Sequence, residues 1–364
     1  MSEINRKLAS IRKIESIEPI EGADNIELAH VDGWQCVVKK GDFKAGELCV
    51  YFEIDSFLPI RPEFEFLRKS SYKKMGDKEG FRLKTIRLRG KLSQGLVLKR
   101  YDVFSLRELY SHEDPDGADD FLYSFDGKDG YADNRLSNEG LDLTEELGVI
   151  KYDPPIPACL EGKVNGNFPS FLRKTDQERV QNIWNKVKDS KESFEVTIKL
   201  DGTSCTYYMK DGVFGVCSRN LELEESEDNT LWKLAREMNL KDLMFRYGNN
   251  IAIQGEVIGE GIQSNPEGIK GQRFYAFDIW DIDSQKYLGS YARTCICMNF
   301  DILHAPILYD KLTLENFNCL DDLLELADGK SLRSDIREGI VFKSNHSGLT
   351  FKVISNQYLL RDKS

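Results

Sequence analysis

Residues 7–100 alternate short apolar runs with polar turn signals, at a spacing of about two along each run. The segments "LASIRKIESIEPI", "IELAHV", "QCVVKK", "GDFKAGELCVYFEI" and "FRLKTIRLRGKLSQGLVL" each predict strand. "EGADN" and the Asp32-Gly33 pair predict turns between them. About five strands with no long helix predict a small closed barrel. Periodicity fades over 101–170, where "SHEDPDGADDFLYSFDGKDGYADN" reads as acidic loop and "YDPPIPACLEGKVNGNFP" as a Pro/Gly-rich approach to a second domain. It returns in "TDQERVQNIWNKVKDS", where Val180, Ile183, Trp184 and Val187 share one helical face and Thr175 or Asp176 would cap the start. Strand patterns then dominate, at 194–200, 203–209, 213–217, 251–258, 273–280, 338–343 and 349–354, with helical patterns at 229–247 and 315–327. The fold class is α+β, with antiparallel sheets and flanking helices. The expected division is a barrel over 1–105, an acidic linker or insert over 106–165, and a second domain over 166–364.

Composition narrows this picture. The chain has 364 residues, 40% hydrophobic and 30% charged, as expected of a soluble globular protein. No apolar run approaches the roughly 18 residues that span a bilayer, so no membrane partner is expected. The eight cysteines form no CxxC pair, which favours a reducing, cytoplasmic setting over a disulfide or zinc framework. The net charge of −11 hides an uneven distribution. Residues 61–100 carry 13 Lys/Arg against 4 Asp/Glu, and residues 101–150 carry 3 against 14. The basic strip is a candidate phosphate-binding face.

Candidate chemistry gathers in the second half. Lys199-Leu200-Asp201-Gly202 fits KxDG at the end of a β-branched run. "VCSRNLEL" places Arg219 just after a strand, and "AIQGEVIGEGIQ" places Glu256 in an apolar one. "RFYAFDIWDI" is aromatic-rich, "REGIVFKS" offers Glu338, and "LTFKVIS" offers Lys352.

In order and texture this set resembles the covalent nucleotidyltransferase superfamily of ATP-dependent ligases and mRNA-capping enzymes, over roughly residues 173–356. The first 100 residues look like an OB-fold of the tRNA-binding-domain type. With that module placed first, and with "KTDQERVQN", the chain most resembles the family-5 type of ATP-dependent RNA ligase, whose catalytic half is an adenylyltransferase (ATP-grasp-like ligase) domain. The resemblance implies that Lys199 attacks ATP, carries AMP as a lysyl phosphoramidate and passes it to an RNA 5′-phosphate, after which a 3′-hydroxyl displaces AMP. Burial and a nearby cation would lower the lysine pKa from about 10.4 and make it nucleophilic.

The remaining roles also follow from the resemblance. Arg219 and Lys352 would act on phosphates in catalysis. Arg179, Gln181, Thr197, Ile198, Gly202, Glu256, Phe277, Val341 and Lys352 would bind the nucleotide. Asp201, Glu256 and Glu338 would hold Mg²⁺ or Mn²⁺ through water. Phe274 and Tyr275 read mainly as core. Two departures stand out: Ile354 occupies the place of a second lysine beside Lys352, and Val257 follows the glutamate where an aromatic is common. The expected partner is RNA with 3′-hydroxyl and 5′-phosphate ends, as in a nicked duplex, and the expected state is a monomer. A DNA ligase of unusual domain order, or a non-catalytic RNA-binding protein, are the competing readings.

Overall fold

The computed structural model describes residues 7–103, 138–152 and 163–361. The acidic stretch over 106–137 and part of the Pro/Gly-rich approach lie outside the described residues. The chain divides into two compact units, Met1–Pro155 and Ile156–Ser364. Among the described residues no helix is long and apolar enough to cross a membrane.

In the first unit β1 (Ala9–Lys13) pairs antiparallel with β5 (Leu48–Phe52). A meander follows: β2 (Ser16–Pro19), β3 (Ile26–Val31) and β4 (Trp34–Lys39). The strand expected over 8–20 is therefore two, broken at Ile14 and Glu15. Asp32 and Gly33, both at positive φ, form the β3–β4 turn, as two-residue hairpins require. Five shorter strands follow: β6 (Ser56–Pro59), β7 (Tyr72–Met75), β8 (Lys78–Arg82), β9 (Ile86–Leu88) and β10 (Lys91–Ser93). β11 (Leu96–Leu98) pairs with β5. The Gln94 amide donates to the Gln35 carbonyl at 2.8 Å, which ties the β10–β11 region to β4 and closes the barrel.

β5 is apolar on both faces and serves two cores. Cys49 and Tyr51 face one with Trp34, Val38 and Val97. Val50 and Phe52 face the other with Phe64, Phe81, Leu143 and Leu147. Residues 138–152, expected in a linker, thus belong to the first unit. Leu143, Leu147 and Val149 are buried in its outer core, and β12 (Ile150–Lys151) pairs with β6. Their apolar spacing was obscured by the acidic residues around them.

The second unit holds two sheets. The larger runs β13 (Val164–Asn167), β18 (Leu221–Leu223), β17 (Val213–Cys217), β16 (Thr203–Lys210), β19 (Ile251–Gly259), β20 (Gln272–Asp281) and β21 (Lys286–Tyr287), with β22 (Leu303–His304) parallel to β20. The smaller runs β14 (Glu178–Arg179), β25 (Thr350–Ile354), β24 (Gly339–Ser344), β15 (Ser193–Lys199) and β23 (Ile307–Thr313). All its pairings are antiparallel except β14–β25. Phe194, Val196, Phe342 and Phe351 pack beneath the smaller sheet against Val180, Ile183 and Val187 of the Val180–Val187 helix.

That helix begins at Val180 with no side-chain cap, so neither Thr175 nor Asp176 caps it. The pattern over 229–247 is two helices, Thr230–Glu237 and Leu240–Tyr247, because Asn239 adopts a left-handed φ of 52° between them. Over 315–327 only Leu320–Ala327 is α-helix. The Ser290–Asn299 helix and β23 carry weak periodicity and were not expected.

Leu147→Ala should destabilise the first unit by about 2–4 kcal/mol, as a buried leucine truncation does. A lowered melting temperature of the whole protein checks this, because a linker residue would leave it unchanged.

Candidate active site

Two sheet ends meet around one cavity of about 350 Å³. β15 supplies its floor. Phe194 and Val196 go to the core, and Thr197 and Lys199 line the cavity, as alternation along a strand dictates. Ile198 and the following turn, Asp201 and Gly202, line it too. Gly202 is required sterically, since a Cβ there would lie 2.2 Å from the Val257 carbonyl and 3.0 Å from the Glu256 side chain. The turn is thereby pressed against β19, which contributes Glu256. Phe277 enters from β20, Glu338 and Val341 from the start of β24, and Lys352 from β25. Arg219 lines the rim, paired with Asp176 at 2.6 Å and largely exposed.

Most of the residues singled out in the sequence therefore converge. Arg179 and Gln181 do not line the cavity. Arg179 sits directly beside Lys352 in the β14–β25 pairing, and Gln181 is buried with no hydrogen-bond partner for Oε1 among the described residues. Phe274 is core, edge-on to Tyr207 at 4.9 Å. Tyr275, Val257 and Ile354 are also buried.

The electrostatics differ from expectation at Lys199. Its Nζ donates to Glu338 Oε2 at 2.7 Å. Burial by itself would lower the lysine pKa, but the fields of Glu338, Glu256 and Asp201 outweigh it, and the pKa lies above the ordinary lysine value. The expected depression is therefore absent from the ligand-free protein, because three carboxylates surround one ammonium. Glu256 carries the other side of that crowding. Its carboxyl is pushed up to about 7 by burial, then by Glu338 and Asp201, against the lowering effect of Lys199.

Lys352 goes the opposite way, down to about 7, through burial and repulsion from Lys199 and Arg179. No hydrogen bond or ion pair holds its ammonium among the described residues. An arriving phosphate would supply the missing counter-charge.

Among the described residues no three His, Cys, Asp or Glu side chains converge as direct ligands of one ion. The carboxylates fit a hydrated divalent cation held through its waters. The rear wall is a buried charge cluster. Lys343 donates to the Phe277 carbonyl and to Asp278 at 2.7 Å. Arg293 pairs with Glu195 at 2.6 Å and donates to His304 Nε2 at 2.8 Å. His304 has its pKa driven down to about 4 by burial and Arg293, so the neutral ring donates from Nδ1 to the Ala305 carbonyl at 2.6 Å.

An RNA ligase family model matches residues 192–354, and an OB-fold domain model matches residues 8–100. Structures of an RNA ligase from Naegleria gruberi are similar along almost the whole chain. One with AMP and Mn is 42% identical, covers 98% of this chain and 99% of that one, and superposes with a TM-score of 0.79. Another with ATP and Mn is 43% identical over 99% and 100%, with a TM-score of 0.78. A third with PPi is 42% identical over 97% and 98%, with a TM-score of 0.77. Comparison with curated proteins gives no match.

This chain belongs to the RNA ligase family. It is an enzyme, with an N-terminal OB-fold domain followed by the ligase nucleotidyltransferase domain. Several residues of the ligase cavity were missed in the sequence. Lys174, Thr175, Asp176 and Gln177 line it from the loop before the Val180–Val187 helix, and Lys343 lies at its back. Tyr358 and Arg361 hold Asp201 from outside it. Of these, Lys343 was visible in the sequence as the lysine of "REGIVFKS", though without a role, and it lies in the apolar β24 that follows Glu338.

Glu256 holds its proton more tightly folded than unfolded, so its contribution to stability is intact below pH 4.5 and lost as pH rises through about 7. Glu256→Gln should therefore melt higher than wild type at pH 8 in the absence of metal, by roughly 2–6 °C. The difference should vanish toward pH 4.5, as thermal scans across that range would record.

Proposed function

We propose that this ligase seals RNA 3′-hydroxyl and 5′-phosphate ends, as at a nick in a duplex, with ATP as the energy source. The supporting observation is one lysine, Lys199, ion-paired to Glu338 at 2.7 Å and sharing a cavity with the unpartnered Lys352. Occupation of the N. gruberi ligase by ATP, AMP and Mn is consistent with the same chemistry.

In the first step Lys199 passes its proton to Glu338, and its neutral amine attacks the α-phosphorus of ATP. The N–P bond forms as the bond to pyrophosphate breaks, leaving lysyl-AMP. Lys352, charged once a phosphate is near, neutralises the oxygens of the pentavalent transition state. Arg219 at the rim suits the entering RNA 5′-phosphate, since its guanidinium forks onto two oxygens. That phosphate displaces Lys199 and takes the AMP. The 3′-hydroxyl then attacks the activated phosphate, AMP leaves and the strand is closed. A divalent cation held through water by Asp201, Glu256 and Glu338 would offset the carboxylate field that keeps Lys199 protonated.

RNA binding falls to the first unit. Its β9–β10 hairpin is exposed from Ile86 to Lys91, and residues 84–91 hold Lys84, Arg87, Arg89 and Lys91 with no acidic residue. Arg89 and Gly90 form the turn at positive φ, which places a guanidinium at the tip.

Lys199→Ala should abolish protein labelling by α-labelled ATP and the sealing of 5′-phosphate ends. Sealing of a pre-adenylylated strand should persist in part, because that step needs no lysine nucleophile. Undiminished labelling overturns the assignment. Arg89→Ala and Lys91→Ala should leave labelling intact and weaken nick affinity. Each should reduce the slope of log affinity against log salt by roughly one. Filter binding at several salt concentrations measures it.

A further inference from the structure

Asp201 follows Lys199 by two residues and lines the same cavity. Its two oxygens stand in different situations. Oδ2 accepts the Tyr358 hydroxyl at 2.9 Å and Nη2 of Arg361 at 2.7 Å. Oδ1 makes no hydrogen bond with the described residues. The Arg361 guanidinium also lies 3.9 Å over the Tyr358 ring, so the two donors brace each other.

Both donors belong to the Asn356–Leu360 helix or the residue after it. That helix is fastened at its start to the other side of the site. The Ser355 amide donates to the Glu338 carbonyl at 2.9 Å. Ser355 Oγ donates to Asp328 at 2.6 Å and accepts the Tyr358 amide at 3.0 Å. One short element thus connects the residue whose carboxylate holds Lys199 with the carboxylate two residues beyond Lys199.

We infer that the Asn356–Leu360 helix is a positioning element of the adenylylation site, in which Tyr358 and Arg361 fix the Asp201 carboxylate and leave Oδ1 for the ligand. The inference rests on the lysyl-AMP reading above. An aspartate on a turn has two free side-chain torsions. Donors from a capped helix, with the Tyr358 ring buried, remove that freedom, and a catalytic constellation needs its groups held within roughly 0.5 Å. The charge-assisted bond from Arg361 is the stronger of the two. Neither residue touches the reacting atoms, so both act through Asp201.

The test uses the full-length protein and three substitutions. Tyr358→Phe removes only the hydroxyl, Arg361→Ala removes the guanidinium, and Arg361→Lys keeps the charge without the fork. Single-turnover lysyl-AMP formation at saturating ATP and Mg²⁺ should fall roughly ten-fold in the first two, the cost of one misplaced charged hydrogen bond. Arg361→Lys should recover part of the loss, and the KM for ATP should stay within about two-fold. In the ligand-free protein, hydrogen exchange at the backbone amides of residues 200–203 should quicken in both, with the rest of the second unit unchanged. A folded Tyr358→Phe protein with wild-type rate and exchange overturns the inference. So does a loss of rate matched by faster exchange across the whole second unit, which assigns the helix a purely structural role. If the wild-type chain forms no lysyl-AMP, the proposed reaction fails, and the local exchange still judges whether the helix holds the Asp201 turn.

Discussion

One ammonium among three carboxylates governs this site. Lys199 is bound to Glu338 and lies in the fields of Glu256 and Asp201. In water such a cluster would be cheap, but behind strands the mutual repulsion of the acids is weakly screened. The protein relieves it in two visible ways, by driving the Glu256 carboxyl up to about 7 and by keeping Lys199 charged. The carboxylates proposed to hold a cation are thus the ones whose fields raise the Lys199 pKa above the ordinary lysine value. Arrival of positive charge is what would release the amine.

Backbone proximity makes that crowding possible. At Gly202 an added Cβ would lie 2.2 Å from the Val257 carbonyl, and at Gly339 it would lie 2.2 Å from the Val353 carbonyl. These two glycines sit beside Asp201 and Glu338 respectively. Each lets a neighbouring strand approach until carboxylates of separate elements share one cavity. The cluster of Lys343, Asp278, Arg293 and Glu195 then stiffens the wall behind, its charges matched in pairs so that burial is tolerated. Matched pairs at the back and, at the front, a Lys352 ammonium with no partner among the described residues divide the cavity between support and chemistry.

Along β15 and β25, local pattern and tertiary role agree. The alternation that sends Phe194 and Val196 to the core also sends Lys199 to the site, and the same holds for Phe351, Lys352 and Val353. The Ser290–Asn299 helix and β23 were hidden because their stability comes from docking, with no apolar stripe strong enough to announce them. Residues 138–152 were hidden for the reverse reason. Their three core side chains are spaced through acidic sequence that reads as linker.

The sequence by itself determined the chemistry available: KxDG, Glu256, Glu338 and Lys352 in strands of known order, after a barrel of short strands. These are local facts, carried by residue type and period. Only the tertiary structure decided the upward direction of the Lys199 pKa, the absence of Arg179 and Gln181 from the cavity lining, and the grip of Tyr358 and Arg361 on Asp201. Each depends on distances between elements up to 160 residues apart. A pKa is set by the sum of fields at one point, and no sequence pattern encodes that sum.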